Sequence, residues 1–232
     1  MQETHSTLSC EDEWKKECDG DLLFSHGSSE SKGVLIGFTK NLDITIDQTS
    51  NDKSGRILIS DVTVNSIKYT LINLYNANTE QEQINTLNSL KDHLLKHKNI
   101  EERLPILMGD LNFIFDIELD ALGGNPKLKN RTIASFTSIQ DKLDISDIFR
   151  IRFPNAKRFT FRQKLKTHGI IHRRLDYIFI SNTLQEYVNK VEVLPSILSD
   201  HSPVLVSLSE SKENYRGKGL WKFNNSLLEN QQ

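Results

Sequence analysis

Apolar residues recur along this chain with two different periods. Between residues 56 and 64, Ile57 and Ile59, then Val62 and Val64, recur at every second position, with Leu58 between the first two, and the phase changes at Ser60-Asp61. That is the period-two pattern of a half-buried strand. The stretch 66–75 repeats it beyond a turn at Asn65, so the spacing predicts an antiparallel hairpin. Val34-Leu35-Ile36-Gly37-Phe38 reads as a further strand after the Ser/Gly-rich turn at 26–33. From Thr79 the period changes. Ile84, Leu87, Leu90, Leu94 and Leu95 recur at spacings of three and four, the stripe of a helix packed on a core. Thr79 suits the N-cap, Glu80 and Glu82 the first turn, and Lys91, Lys96 and Lys98 the last, so the charges oppose the helix dipole.

Leu104-Pro105-Ile106-Leu107-Met108-Gly109 is apolar throughout, as expected of a central strand covered on both faces, and Asp110 stands just beyond it. Residues 115–129, punctuated by Gly123-Gly124-Asn125-Pro126, read as loop. Ile133, Phe136, Ile139 and Leu143 mark a second helix, and 158–162, 174–180, 188–194 and 203–208 read as strands. Strands outnumber helices without a strict βαβ alternation. This predicts a layered α/β sandwich of two packed sheets flanked by helices, over residues 1–209, with a polar tail over 210–232.

Composition narrows the class. The 232 residues are 37% hydrophobic and 26% charged, with a net charge of −2. That suits a globular protein with its own core. No global basic field advertises nucleic acid, which instead requires a local basic face. The stretch 150–174 supplies one: Arg150, Arg152, Lys157, Arg158, Arg162, Lys164, Lys166, Arg173 and Arg174 are interleaved with Phe153, Phe159 and Phe161. Cys10 and Cys18 are too few for a disulfide framework and read as free thiols. The polar N-terminus lacks the pattern of a signal peptide, and no apolar run approaches a membrane span. The expectation is a soluble intracellular protein, monomeric and without membrane contact.

Three short stretches carry chemistry. Asp110 and Asn112 in Met108-Gly109-Asp110-Leu111-Asn112 share a face if the chain is extended there, so a carboxylate can take a proton from a water that an amide holds in place. Gly-Asp-x-Asn is equally good turn chemistry. Asp176 lies in the apolar strand Leu175-Asp176-Tyr177-Ile178-Phe179-Ile180. A carboxylate there needs a partner: Arg174, a histidine or a metal. In Ser199-Asp200-His201-Ser202 an imidazole can orient a phosphate or stabilise its charge. Asp176 is its candidate partner, because Asp200 would point elsewhere on a strand.

In this order, the three stretches resemble the endonuclease/exonuclease/phosphatase family. Gln2-Glu3-Thr4, Asn73-Leu74-Tyr75-Asn76-Ala77-Asn78 and Phe159-Thr160-Phe161 match further motifs, so the resemblance covers residues 1–209. It implies that Glu3 ligates Mg²⁺ or Mn²⁺, with Asp200 at or near the metal. It also implies that Tyr75 holds a phosphate oxygen, Asp110 activates water, Asn112 positions it, and His201 faces the phosphate, oriented by Asp176. Substrate contacts would fall to Asn78, Thr160, Arg162 and Arg174. The hairpin loop at 164–172 would probe a DNA groove. The implied activity is Mg²⁺-dependent nicking of DNA, leaving a 3′ hydroxyl and a 5′ phosphate.

Gln2-Glu3-Thr4-His5 and the segment 216–228, with Trp221 and Phe223, resemble non-LTR retrotransposon polyproteins. There a reverse transcriptase follows the nuclease, which acts in the nucleus. The family pattern starts with a strand ending in Asn, before Gln-Glu-Thr. Here Met1 directly precedes Gln2, so a truncated copy is expected. The alternatives that follow are an inactive remnant with at most weak DNA binding and a phosphatase of the same superfamily.

Overall fold

The computed structural model describes residues 1–97, 99–165 and 169–209. In chain order the elements are α1 (Glu11–Glu17), β1 (Gly20–Ser25), β2 (Val34–Thr39), β3 (Ile44–Asn51), β4 (Ile57–Val64), β5 (Ile67–Tyr75), α2 (Glu80–Leu94), β6 (Leu104–Asp110) and α3 (Ile117–Asp120). There follow β7 (Ala121–Leu122), α4 (Asn130–Leu143), β8 (Ile145–Asp147), α5 (Ile148–Arg152), β9 (Phe161–Leu165), β10 (Gly169–Arg173), β11 (Asp176–Ser181), β12 (Val188–Val193) and β13 (Val204–Leu208).

A six-stranded mixed sheet in the order β3-β4-β5-β6-β11-β8 forms the centre. One face packs against α2 and α4: Leu87, Leu90, Phe136 and Ile139 meet Ile57, Ile59, Ile72, Leu107 and Phe179 in one core. The other face carries two separate ribbons, β1-β2 and β12-β13, with their own apolar clusters. A small sheet, β7-β10-β9, stands apart. The expected layered α/β sandwich is therefore present, but its second sheet is divided. Between the two ribbons runs an apolar groove of about 790 Å³ lined by Leu22, Leu35, Phe38, Val62, Leu71 and Leu208 among others. At its rim the backbones of Met1 and Leu35 exchange hydrogen bonds of 2.8 and 3.0 Å.

The hairpin of β4 and β5 forms as expected, turning through Asn65 and Ser66, both with left-handed backbone. Thr79 caps α2 by accepting the Glu82 N–H. The stripe differs at its ends. Leu95 lies beyond the helix and is exposed, and Gln83 and Thr86 are buried instead. Residues 115–129 are not all loop, because Asp116 accepts the N–H groups of Glu118 and Leu119 and starts α3. The strand expected over 158–162 begins only at Phe161; before it, the Thr160 N–H bonds the Arg173 carbonyl at the end of β10 and the Thr160 carbonyl accepts the Ser202 N–H. The tail over 210–232, with Lys98 and Lys166, lies outside the described residues.

β6 is central as expected, parallel to β5 and antiparallel to β11. Gly109 makes the parallel contact close. A Cβ there would lie 1.9 Å from the Leu74 carbonyl oxygen, and its φ is 149°. Gly109→Ala is expected to destabilise the fold by about 2–3 kcal/mol, read as a lower urea midpoint at unchanged slope.

Candidate active site

Strand register places three of the expected residues in one row. Across β6 and β11, Asp176 pairs with Asp110; across β5 and β6, Tyr75 pairs with Asp110. Asp110 is almost fully buried. Burial, then the neighbouring Asp176 charge, pushes its carboxyl up to about 7. Its Oδ1 accepts the Asn112 N–H at 2.8 Å, which closes a turn with Asn112 in left-handed backbone. The sheet therefore ends at Asp110, and turn chemistry rather than an extended strand carries Asn112.

Asn112 is clamped from several sides. Its Nδ2 donates to the Asn76 carbonyl at 3.0 Å. Its own carbonyl accepts from Gln83 Nε2 at 2.8 Å and from Lys129 Nζ at 3.0 Å. Gln83 also donates to the Ala77 carbonyl, and Lys129 to the Asn78 carbonyl. These two residues tie the loop after Tyr75 to the turn after Asp110. Neither was identified from sequence. The spacing of Gln83 to Leu87 and Leu90, four and seven residues on, put a Gln on the apolar stripe and was the available signal for one; nothing marked Lys129.

His201 donates from Nδ1 to Asp176 Oδ2 at 2.8 Å, so Asp176 is its partner as expected. Burial pulls the imidazole down, but the hydrogen bond and charge of Asp176, with Asp110 and Asp200, outweigh it and raise its pKa to about 9. Thr160 Oγ1 accepts the N–H groups of Leu175 and Asp176, at 2.9 and 3.0 Å, and so fixes the start of β11. Phe161 forms an isolated antiparallel bridge with His201.

The first residues complete the site. Glu3 has left-handed backbone (φ 50°), an uncommon state for a side chain of this kind and one that needs its surroundings to hold it. The Thr4 N–H bonded to Gly33 and the Asn73 side chain bonded to Gln2 do so. The Tyr75 hydroxyl donates to Glu3 Oε1. Burial, then that bond, raises the phenol, so it remains a neutral donor. Gln2, Glu3, Asp110, Asp176, Ser199, Asp200 and His201 line one polar cavity of about 210 Å³. It is smaller than the apolar groove, but the groove holds no comparable cluster of titratable groups.

Four carboxylates around one cavity are the donor chemistry of a hard cation. Among the described residues no three His, Cys, Asp or Glu side chains converge on a single ion position. Mg²⁺ fits this set nonetheless, because it keeps several waters and needs only one or two protein carboxylates. Glu3 and Asp200 would hold it.

The residues expected to touch substrate divide. Asn78 and Arg162 are exposed. Thr160 is buried and acts on β11. Arg174 is also buried, with Nε on Asp120 at 2.8 Å and Nη1 on Asp147 at 2.6 Å. Its guanidinium is thereby withdrawn from the cavity. The basic stretch divides in the same way. Arg150 and Arg173 are half-buried and donate to backbone carbonyls, and Arg152 is exposed but also bonded to the Val188 carbonyl, whereas Lys157, Arg158, Arg162 and Lys164 are exposed.

No family model matches the chain. Over its whole length it is 28% identical to an uncharacterized 149 kDa protein of transposon TX1 from Xenopus laevis, and it spans 17% of that protein. Among solved structures it superposes on an AP endonuclease from Leishmania major with a TM-score of 0.64, at 19% identity, covering 88% of this chain and 76% of that one. It superposes on a 3′ phosphatase from Neisseria bound to product DNA hairpin with a TM-score of 0.65, at 18% identity, covering 90% and 87%. The chain has the endonuclease/exonuclease/phosphatase fold. Within that fold, the row formed by Tyr75, Asp110 and Asp176 lies at one end of the central sheet, and loops bring Glu3, Asn112 and His201 to it.

Two measurements check these assignments. In the metal-free protein, NMR is expected to show His201 titrating near pH 9, well above its ordinary value of 6.5, and Asp176→Asn should bring it down. Because the folded pKa is raised, the pair stabilises fully below the ordinary value, and that contribution is lost as pH rises through about 9. Arg174→Met is expected to lower stability by about 3 kcal/mol in urea melts, because it takes the ion-pair partner from Asp147 and leaves Asp120 with Arg150 alone. A role only in substrate contact would leave the melt unchanged.

Proposed function

We propose that this chain is a Mg²⁺-dependent endonuclease that nicks DNA and derives from a non-LTR retrotransposon. The observation that carries the reading is the Tyr75–Asp110–Asp176 row, with His201 hydrogen-bonded to Asp176 at its end. The likeness to the transposon protein and to a DNA-bound structure of the same fold supports it. In the parent polyprotein a reverse transcriptase would follow, and the site of action would be the nucleus.

Each residue has a task that its geometry suits. Asp110, with a pKa brought near neutrality, takes the proton of the attacking water. Asn112, its backbone and Nδ2 fixed, holds that water through its side-chain oxygen. The His201 imidazolium donates to a non-bridging phosphate oxygen where charge grows. Tyr75 offers its hydroxyl to another. Glu3 and Asp200 would hold Mg²⁺, which would supply charge neutralisation at the phosphate. Arg158, Arg162 and Lys164 are the exposed cations for flanking phosphates.

A terminal phosphate suits the same chemistry, and one structural neighbour is a 3′ phosphatase. A supercoiled plasmid separates the two readings, since a closed circle has no terminal phosphate. With Mg²⁺, the protein is expected to convert supercoiled plasmid to open circles. EDTA should abolish this, and Asp110→Ala and His201→Ala should each reduce it by roughly a hundredfold or more. Nicking that survives both substitutions contradicts the proposal.

A further inference from the structure

Ile197 and Leu198 stand further out of the fold than any other large apolar side chains among the described residues, each 96% exposed. They lie at the tip of the loop from β12 to β13. The loop is built rather than loose. The Ser199 N–H donates to Ser196 Oγ, and that hydroxyl donates to the Ser199 carbonyl, both at 3.3 Å. Pro195 before it fixes one backbone angle. At its base the Arg162 N–H donates to the Asp200 carbonyl at 2.9 Å, and the Ser202 N–H to the Thr160 carbonyl at 2.6 Å. Scattered single apolar residues on a surface need no explanation. An adjacent pair held at the tip of a clasped turn is different, because Ser199 and Asp200, at the end of that turn, line the catalytic cavity.

Position relates the pair to the cavity. Leu198 is two residues from Asp200, at most about 7 Å along the chain. That is about two base-pair steps of a duplex whose phosphate sits at His201. Next to the turn, Arg162 and Lys164 on β9 and Arg158 before it are exposed. Apolar side chains flanked by arginine and lysine are the chemistry of proteins that enter the minor groove and unstack a base step.

We propose that Ile197 and Leu198 form an apolar wedge that enters duplex DNA beside the scissile phosphate and opens a base step there. The proposal rests on the nuclease reading above. The wedge bends the strand toward Asp110 and His201 and makes cleavage depend on how easily the local step unstacks. Flexible pyrimidine–purine steps are therefore the preferred neighbours.

The test compares the wild type with an Ile197→Ser/Leu198→Ser double variant and an Ile197→Met/Leu198→Met variant. Both sites are exposed, and a thermal melt confirms that folding is unchanged. Three readouts are taken: plasmid nicking, hydrolysis of bis(para-nitrophenyl) phosphate, and fluorescence of an unstacking-sensitive purine analogue in a bound duplex with Ca²⁺. The serine variant is expected to lose roughly 30-fold in duplex kcat/KM, keep small-diester hydrolysis within about twofold, and lose the fluorescence rise. The methionine variant should retain all three. If the wild type nicks but neither nicking nor fluorescence responds to the serines, the wedge is wrong and the nuclease reading stands. If the wild type does not nick yet unstacks duplex in a wedge-dependent manner, the wedge stands and the nuclease reading fails. If it neither nicks nor unstacks duplex, both fail.

Discussion

The site depends on strand register at one end of the central sheet. Asp110 and Asp176 face each other across β6 and β11, and Tyr75 pairs with Asp110 from β5. Like charges directly opposite on a sheet repel. The row persists because the burial-raised Asp110 can hold a proton, because the Asn112 N–H bonds it, and because the His201 imidazolium answers Asp176. A slip of one residue would turn these side chains to the other face of the sheet. Gly109 sits next to the row because β5 approaches β6 too closely there for any side chain.

The remaining parts of the molecule hold loops to that row. Gln83 reaches from α2 and Lys129 from just before α4, so the helices that bury the apolar face of the sheet also fix the Asn112 turn. Thr160 fixes the start of β11, and the buried ion pairs of Arg174 with Asp120 and Asp147 tie α3, β8 and β11 together behind it. Removing one partner of such a pair costs far more than the pair contributes. Its value here is positional: it holds the hairpin of β9 and β10 next to a cavity that must remain polar and open.

Sequence pattern revealed the elements with a dry face. β6 was recognisable because both its faces are covered, and α2 and α4 because an apolar stripe repeats along them. β3 and α1 were not. β3 is an edge strand whose residues are mostly exposed, and α1 buries none of its residues. At the site, Asp176 could be paired with His201 because a carboxylate in an apolar strand requires a partner. Arg174 could not be assigned in the same way. Its partners Asp120 and Asp147 lie 54 and 27 positions away, and only the fold brings them together. From the chain alone, a buried structural arginine and a substrate-binding one look the same.

The central claim is that carboxylates gathered around this row form a divalent-cation site facing His201. Paramagnetic Mn²⁺ tests it without relying on turnover. Added in small amounts, it should broaden the NMR signals of the His201 ring and the Glu3 and Asp200 amides before others, and Mg²⁺ should reverse the effect. Glu3→Gln combined with Asp200→Asn should abolish it. Selective broadening elsewhere, or broadening at His201 that survives that double substitution, would contradict the account.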